Sequence, residues 1–362
     1  MTGGPGAARQ ALVVGGTGPS GPAVVDALRA LGFGITLFHS GRHEVADQDD
    51  LVHLHGDAFS KDSIEEQLSA REFDVVVAMY GRTRYVADCL AGRCGQFVAI
   101  GGAPVYDGYF VTSQPARVLA QPIAESARLV SDEVSAAPYP LHTIRRTEDA
   151  VRRHHEAGSF SATILRYPVL YGPRVANNWE WLVIRRLLDR RPVFLADGGL
   201  SLHSRLAAGN AGRAVAGVVD RPDVAAGKAY NVADAEQFSL RDWSAMIADA
   251  LGVELIARSV PGDIPSPGWT LYPFGTPALA QHFLLDTTAV RRDLGYADAV
   301  APGDALREAV EWSLQHRDEL DRTMGALLDY AAEDAFTEAY DGSMRRLRAA
   351  AGAFASVPRP PG

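Results

Sequence analysis

The stretch Val13-Val14-Gly15-Gly16-Thr17-Gly18-Pro19-Ser20-Gly21 decides the fold, because it joins a short apolar run to a helical pattern. Gly15, Gly18 and Gly21 have the spacing G-x-x-G-x-x-G. In turns of this kind the first glycine permits a tight bend, the second lets the backbone approach a diphosphate, and the third lets the helix pack close to the strand. A glycine-rich turn alone is weak evidence, but the strand before it and the helix after it favour a dinucleotide-binding turn.

Short apolar runs alternate with helical patterns through the first half of the chain. Nearly continuous apolar strands separated by helices are typical of a parallel sheet that is covered on both faces. We therefore predict an α/β fold with a doubly wound parallel sheet of the Rossmann type. The predicted strands are Ala11–Val14, Gly34–His39, Leu51–Leu54, Asp74–Met79, Gln96–Ile100, Ser161–Tyr167 and Lys228–Val232, and the predicted helices are Pro22–Leu31, Lys61–Leu68, Tyr85–Ala91, Leu141–Ala157, Asn178–Asp189, Ala208–Val219 and Leu240–Leu251.

The regular alternation of apolar runs and helical patterns ends after Pro173, which predicts a second, smaller domain. We expect the Rossmann domain at residues 10–175, with residues 205–235 returning to it. Residues 176–204 and 236–350 are expected to form a mostly helical C-terminal substrate domain. Residues 1–9 and 355–362, rich in glycine and proline, are predicted to be flexible tails.

Composition narrows the class of protein. The 362 residues are 47% hydrophobic and carry a net charge of −9, which argues against a nucleic-acid partner. No run approaches the roughly 18 apolar residues that a membrane span needs. Only Cys89 and Cys94 are present, and neither has histidines at metal-binding spacing, so we expect a reducing compartment and no metal site. A cytoplasmic protein that acts on a small molecule is predicted.

The end of the second predicted strand indicates which dinucleotide is bound. It reads Phe38-His39-Ser40-Gly41-Arg42, with no carboxylate before Glu44. A carboxylate there would bind the ribose 2′-hydroxyl of NAD, whereas Ser40 and Arg42 suit a 2′-phosphate. NADP is therefore favoured, with NAD as the alternative, and Arg42 as a plain surface charge is the competing interpretation.

Several motifs together resemble the extended short-chain dehydrogenase/reductases, the NAD-dependent epimerase/dehydratase family. Besides the glycine turn, the resemblance rests on Gly56-Asp57-Ala58, Phe97–Tyr106, Leu165–Pro173, Ala229–Val232, Leu285-Asp286-Thr287 and Leu294-Gly295-Tyr296. It implies a nicotinamide cofactor, and a homodimer formed through the helices near 85–91 and 141–157. The implied cofactor-binding residues are Gly15, Thr17, Gly18, Pro19, Ser20, Gly21, His39, Ser40, Arg42, Asp57, Ala58, Met79, Tyr80, Gly81, Gly101, Arg145, Tyr167, Pro168 and Val169.

The chain departs from this family at the positions of the catalytic residues. Family enzymes carry a Ser or Thr after the fifth strand and a Tyr-x-x-x-Lys pair on the next helix, whereas this chain has Gly101 and Gly102, and places Arg145 at the lysine position. The candidate catalytic residues are His142, Arg145 and Tyr106, with Tyr80 and Tyr171 as further candidates for the proton donor.

Substrate contacts are expected above the nicotinamide. The candidate residues are Gly102, Asn177, Asn178, Trp179 and Arg205. Trp179 and Trp181 suit an aromatic-lined pocket or, equally, a core. Three functions remain open: an NADPH-preferring oxidoreductase of a small carbonyl or alcohol with a non-standard proton donor, a sugar-nucleotide epimerase or dehydratase that uses bound NAD, and a catalytically silent NAD(P)-binding regulatory protein.

Overall fold

The structure, a computed structural model, describes residues 9–42, 45–79, 81–109, 120–131, 141–175, 177–268 and 281–352. The side chains of Ala46, Leu141 and His142 are not included in this description. Apart from Arg9, the tails expected at 1–9 and 355–362 lie outside the described residues. Among the helices in these ranges, none is both long and apolar enough to cross a membrane.

Seven parallel strands form the main sheet, in the order β11-β6-β5-β4-β1-β2-β3. The strands are β1 Gln10–Val14, β2 Gly34–His39, β3 Val52–His55, β4 Phe73–Ala78, β5 Cys94–Gly102, β6 Ser161–Tyr167, β7 Val169–Tyr171, β8 Val193–Ala196, β9 Leu202–His203, β10 Arg205–Ala207, β11 Ala229–Asn231, β12 Phe238–Ser239 and β13 Ala257–Val260. The helices are α1 Gly21–Ala30, α2 Lys61–Leu68, α3 Thr83–Cys89, α4 Leu141–Glu156, α5 Trp179–Leu188, α6 Ala211–Asp220, α7 Pro222–Ala225, α8 Leu240–Leu251, α9 Thr288–Leu294, α10 Pro302–Gln315, α11 Arg317–Met324 and α12 Tyr330–Ala351. The predicted doubly wound sheet is confirmed.

The sheet has a core on each face because side chains alternate along its strands. In β1, Ala11 and Val13 join one hydrophobic cluster, which includes residues of α1 and α6. Leu12 and Val14 join the other, which includes residues of α2, α3 and α4. All four side chains are fully buried, so β1 fixes the centre of the fold.

A separate core lies in the second half of the chain. It is built on α5, α8 and α10, with Trp181, Trp243 and Leu306 among its buried residues. The expected helix Ala208–Val219 divides into a short 3-10 turn at Ala208–Asn210 and α6. Strands β7, β8, β9, β10, β12 and β13 are not predicted from the sequence, because segments of two to four residues are too short to show a periodic pattern.

Candidate functional site

The site lies where the strand order of the sheet reverses. Strand β1 lies between β2 and β4, and the connection after β1 leads to β2 whereas the connection after β4 leads to β5, in the opposite direction across the sheet. Ligands of doubly wound sheets bind outside the carboxyl ends of the strands at such a point. In this chain the turn after β1 is the glycine-rich stretch quoted above, and the turn after β4 begins at Met79.

Successive backbone hydrogen bonds fold the glycine-rich turn. Gly18 N–H donates to Gly15 O at 3.0 Å, and Gly21 N–H donates to Gly18 O at 3.1 Å. Gly15 has a φ of +89°, a left-handed conformation that glycine adopts without strain. The turn, which includes Thr17 and Pro19, therefore brings its backbone tightly round to the start of α1.

The space around this turn excludes side chains. A Cβ atom on Gly21 would lie 1.9 Å from Gly16 O, and one on Gly16 would lie 2.6 Å from Leu37 Cδ2. Helix α1 then begins with Ser20 as its N-cap residue, and that side chain makes no capping hydrogen bond. Gly21 N–H donates to Gly18 O, Val24 N–H donates to Ser20 O and Pro22 has no N–H, so this helix start offers a diphosphate mainly the positive end of the helix dipole.

The turns after β1 and β4 contact each other. Ser20 Oγ lies 3.7 Å from Met79 Sδ, and Met79 N–H donates to Val14 O at 3.1 Å. Gly81 follows with a φ of +77°, and a Cβ there would lie 2.4 Å from Ala58 O. Of the predicted cofactor residues in this region, Tyr80 lies outside the described residues.

The end of β2 carries the residues expected to choose between dinucleotides. His39 is buried, while Ser40 and Arg42 are exposed. Arg42 N–H donates to Ser40 Oγ at 3.4 Å across a turn in which Gly41 has a φ of +73°. Arg42 thus presents its side chain to solvent at the carboxyl edge of the sheet, one strand from the glycine turn.

Asp57 lies in the turn after β3, together with Ala58. Its Oδ1 accepts from Phe59 N–H at 2.8 Å, and its own N–H donates to Ser63 Oγ at 2.9 Å. These contacts hold the exposed carboxylate at the same edge of the sheet as Ser40. Its contact with an adenine stays a prediction.

A set of buried and partly buried hydrogen bonds, not predicted from the sequence, lies beneath the carboxyl edge of the sheet. Gln48 is almost fully buried and its Nε2 donates to Gly16 O at 3.0 Å, while its backbone oxygen lies 2.8 Å from His53 Nε2. His53 Nδ1 in turn lies 2.8 Å from His39 Nε2. The glycine turn and the end of β2 are therefore linked by hydrogen bonds. The pattern His53-x-His55 was the only signal in the sequence, since Gln48 has no motif.

The glycines in place of the family serine lie beside a buried charge. Gly101 and Gly102 end β5, and a Cβ on Gly101 would lie 3.4 Å from Glu148 Oε1. Glu148 accepts two hydrogen bonds from Arg166, at 2.9 and 2.7 Å, and both side chains are buried. A bidentate ion pair of this kind is strongly directional.

Tyr106 belongs to the same buried network. Its hydroxyl donates to Asn231 Oδ1 at 2.6 Å and accepts from Arg166 Nη1 at 2.9 Å. Burial raises the pKa of Tyr106 to about 12, with Arg166 opposing that effect. A phenol in this state holds its proton near neutral pH.

The other catalytic candidates lie on α4. Arg145 is about one-third exposed, and its Nε donates to both carboxylate oxygens of Asp149, at 2.8 and 3.0 Å. His142 is in the first turn of the same helix, and its side chain lies outside the description. Tyr171, a further candidate, donates to Asp234 Oδ2 at 2.8 Å, and burial raises its pKa.

The segment after β6 reaches the site from the other side. Tyr167 is buried with its hydroxyl 3.5 Å from Ala211 O, and desolvation raises its pKa. Pro168 and Val169 follow and are partly exposed. They connect the carboxyl end of the main sheet to β7, so their position at the rim of the site follows from the topology.

The predicted substrate residues are mostly engaged with the protein. Asn178 caps α5 by accepting from Trp181 N–H at 2.9 Å, and its Nδ2 donates to Ser313 Oγ at 3.0 Å. Trp181 is fully buried and is a core residue, whereas Trp179 is partly buried. Asn177 is exposed.

Arg205 is buried as well. Its guanidinium donates to His203 O and Phe238 O and lies 4.5 Å from the centre of the Trp243 ring. The substrate roles of Asn177, Asn178, Trp179, Arg205 and Gly102 stay predictions.

Solved structures with the same architecture identify the fold. An epimerase from Methanothermobacter thermautotrophicus has a TM-score of 0.68 and 14% identity, over 87% of this chain and 95% of its own. A dTDP-glucose 4,6-dehydratase from Streptomyces venezuelae, solved with NAD bound, has a TM-score of 0.66 and 19% identity, over 87% and 99% of the two chains. The chain has the fold of the extended short-chain dehydrogenase/reductases.

Further comparisons agree with the extended short-chain dehydrogenase/reductase fold. The UDP-glucose 4-epimerase of Thermotoga maritima has a TM-score of 0.65 and 15% identity, over 85% of this chain and 99% of that one. Among curated sequences, a dTDP-glucose 4,6-dehydratase of Streptomyces griseus is 24% identical over 281 residues, which are 76% of this chain and 75% of that protein. No protein-family model matches the sequence.

Proposed function

We propose that this chain is an NAD(P)-dependent oxidoreductase that interconverts a small carbonyl compound and its alcohol. The observation that carries the proposal is the glycine turn between β1 and α1, which excludes side chains and leads to a helix start without a side-chain cap, at the point where strand order reverses. When bound, the nicotinamide supplies hydride chemistry, and the protein supplies orientation and proton handling.

The decisive experiment is a turnover assay. The chain is titrated with NADPH and NADH by fluorescence, and then incubated with panels of aldehydes and ketones. We expect substrate-dependent loss of nicotinamide absorbance. Absence of affinity for both nucleotides overturns the proposal, whereas binding without turnover across the panels favours a silent regulatory protein.

A preference for NADP over NAD is part of the proposal. It is supported by the exposed Arg42 beside Ser40 and by the absence of a carboxylate at the end of β2. Arg42→Ala is expected to weaken NADPH binding by roughly 10- to 100-fold and to leave NADH unchanged, because a charge-assisted contact to phosphate is typically worth about 1.5–3 kcal/mol. Arg71→Ala is the control, since that arginine lies before β4, at the opposite edge of the sheet. If Arg42→Ala weakens the binding of NADPH and NADH equally, the proposed preference for NADP is wrong.

The proton donor is proposed to be His142 or Tyr106, and Arg145 is proposed to hold the nicotinamide ribose, because a guanidinium keeps its proton at any working pH. Substitution of a residue that moves a proton changes the pH profile of kcat. Substitution of a residue that only stabilises the fold instead lowers the free energy of unfolding at every pH. His142→Ala, Arg145→Gln and Tyr106→Phe are therefore compared by pH profile and by unfolding. The buried contacts of Tyr106 favour a supporting role for that residue over proton transfer.

A second candidate is a sugar-nucleotide epimerase or dehydratase that uses bound NAD. It is favoured by similarity to proteins such as UDP-glucose 4-epimerase and dTDP-glucose 4,6-dehydratase. It predicts NAD that stays bound through purification and conversion of a UDP- or dTDP-sugar without added nucleotide. Conversion only when NADPH is supplied favours the first candidate.

A homodimer completes the proposal. Helices α3 and α4 pack side by side on one face of the sheet and supply a two-helix surface for it. Light scattering on the full chain is expected to give twice the monomer mass. The monomer mass at all concentrations contradicts the dimer.

A further inference from the structure

Three histidines form a cluster at the carboxyl ends of β2 and β3, and of these the proposed function involves only His39, as an expected cofactor residue. His39 ends β2 and His55 ends β3, and the two are register partners in the sheet. His53 lies two residues before His55 and therefore projects from the same face of the sheet. One possible ligand atom from each histidine lies within 4.8 Å of the other two.

We infer that His39, His53 and His55 bind one divalent transition-metal ion. Imidazole nitrogens suit zinc, copper and nickel, whereas magnesium and calcium prefer oxygen ligands. Three histidines hold zinc with the fourth tetrahedral position open. The cluster runs from the buried His39 to the exposed His55, which gives the ion a path from solvent.

The spacing of the nitrogens is close to what zinc requires. In a tetrahedral site with Zn–N bonds of about 2.0–2.1 Å, ligand nitrogens lie about 3.3 Å apart. His39 Nε2 and His53 Nδ1 are 2.8 Å apart, so they separate by about half an ångström when they share an ion. The exposed His55 approaches by rotation of its side chain.

The surroundings of His53 are those of a metal ligand. Its Nε2 lies 2.8 Å from the backbone oxygen of Gln48, so Nε2 donates and the Nδ1 lone pair, which here accepts from His39 Nε2, faces the place of the ion. Ligating histidines almost always donate their other N–H to a carbonyl or carboxylate, which fixes the ring and its tautomer. Gln48 is itself buried and anchored to Gly16 O.

The two cysteines do not compete for the ion. Thiols bind metals as thiolates. Burial raises the pKa of Cys94 to about 12 and also raises that of Cys89, so both stay protonated near neutral pH. Metal that binds the folded chain therefore reports on its histidines and carboxylates.

The test is a calorimetric titration of the untagged, chelator-treated chain with zinc chloride, without nucleotide. We expect saturable binding of one ion per chain, and none with magnesium chloride. His53→Gln and His55→Gln should each weaken zinc binding by at least about tenfold. His154→Gln is the matched control and should bind as the unaltered chain does, because His154 pairs with Asp88 on α3, away from β2 and β3.

Cobalt provides a second readout that does not depend on a variant folding well. Co²⁺ in a tetrahedral site with nitrogen ligands absorbs visible light far more strongly than hydrated Co²⁺. A strong band in the unaltered chain that is lost in His55→Gln supports the site. Absence of saturable zinc binding, a weak octahedral cobalt spectrum, or zinc affinity unchanged in both variants overturns it.

Discussion

At Gly21 a Cβ atom would stand 1.9 Å from the carbonyl oxygen of Gly16, so an alanine there has to push the glycine-rich turn open. We expect Gly21→Ala to destabilise the fold by about 1–3 kcal/mol or more, the usual cost of overpacking. Because the turn amides move with it, dinucleotide binding should become undetectable. Denaturant unfolding and fluorescence titration measure the two effects.

Gly303→Ala is the matched control for that substitution. Gly303 is the second residue of α10, and nothing lies within 4 Å of the position of its Cβ. Alanine there should be neutral or stabilising by up to about 1 kcal/mol. If Gly21→Ala binds NADPH as tightly as the control, the turn does not hold the diphosphate.

Glu148 is the second residue at which the structure makes a sharp prediction. Glu148→Ala removes the two carboxylate oxygens that accept from Arg166 and leaves a guanidinium buried without its counter-charge. Breaking a buried pair in this way typically costs about 3–5 kcal/mol. Thermal or urea unfolding of the variant measures the loss.

Asp149→Asn provides the comparison on the same helix. Asp149 pairs with Arg145, and both side chains are about one-third exposed or more. Pairs exposed to solvent are worth about 0–1 kcal/mol. Equal destabilisation by Glu148→Ala and Asp149→Asn would show that the Arg166–Glu148 pair adds nothing beyond a surface contact.

Residue patterns in the sequence predict the local features of the site and miss the tertiary ones. The glycine spacing is local, so Gly15, Gly18 and Gly21 were identified at once. The pairing of Glu148 with Arg166 joins α4 to β6, and no spacing rule encodes it. The cluster of His39 with His53 depends on the pairing of β2 with β3, which the sequence alone does not give.

At the scale of elements, the parallel strands β7 and β10 are also linked by one buried carboxylate, that of Asp234. Asp234 accepts from Tyr171 on β7, from Ala207 N–H on β10 and from Asn210 Nδ2. Burial raises the pKa of Asp234 to about 6, although these donors oppose that effect. The folded chain therefore keeps a proton on Asp234 that the unfolded chain releases at lower pH.

The sign of the pH dependence follows from that difference. Stability from Asp234 is fully present below about pH 4, the pKa range of an unfolded aspartate, and is lost as the pH rises through 6. A pKa change of about 2 corresponds to about 3 kcal/mol. The unfolding free energy of the unaltered chain relative to Asp234→Asn should fall by roughly this amount from pH 4 to above pH 6.

Comparison with the variant is needed because His203 acts in the opposite direction. Burial lowers the pKa of His203 to about 3, so its stability is present above about 6.5 and is lost as the pH falls toward 3. Subtracting the Asp234→Asn profile leaves the Asp234 contribution. A flat difference profile contradicts the raised pKa.

The turn after β2 links the inferred metal to the proposed cofactor. Gly41 N–H donates to His39 Nδ1 at 3.2 Å. When His39 binds an ion through Nε2, its neutral ring carries the proton on Nδ1, and this contact breaks. We therefore expect saturating zinc to weaken NADPH binding roughly fivefold or more, with an equal effect of NADPH on zinc. His53→Gln should abolish the effect, and equal NADPH affinity with and without zinc in the unaltered chain contradicts it.

At the scale of the whole molecule, the sequence predicts the strands of the main sheet but not the short strands near the second core. Most strands of the sheet contain a strong apolar run, and the predicted ends of β1 to β6 lie within one residue of the observed ends, except for β5, which extends two residues further at each end. In the second half, β8 and β13 pair with each other although 60 residues or more lie between them. Strand β8 is buried while β13 is mostly partly exposed, so their pairing depends on tertiary context, which is not a local property of the sequence.

Helix α12 closes the chain onto its second core through a buried ion pair. Arg186 on α5 is fully buried, and its Nη2 and Nε donate to Glu333 Oε1 at 2.5 and 3.1 Å. Glu333 is the buried residue of α12, whose other described side chains are partly or fully exposed. Arg191 with Asp334 and Arg258 with Asp341 also join α12 to the second half of the chain, but these pairs are partly exposed, whereas the Arg186–Glu333 pair is buried.

Glu333→Ala should accordingly cost about 3–5 kcal/mol, because it leaves Arg186 buried among α5 residues without a counter-charge. Glu338→Ala, on the exposed side of the same helix, should change stability by less than about 0.5 kcal/mol. Hydrogen exchange distinguishes where the loss occurs: α5 and α12 should exchange faster in Glu333→Ala, while β1 and β4 keep their protection unless unfolding is global. Faster exchange in β1 and β4 without change in α5 would contradict this account, since Arg186 and Glu333 both lie outside the main sheet.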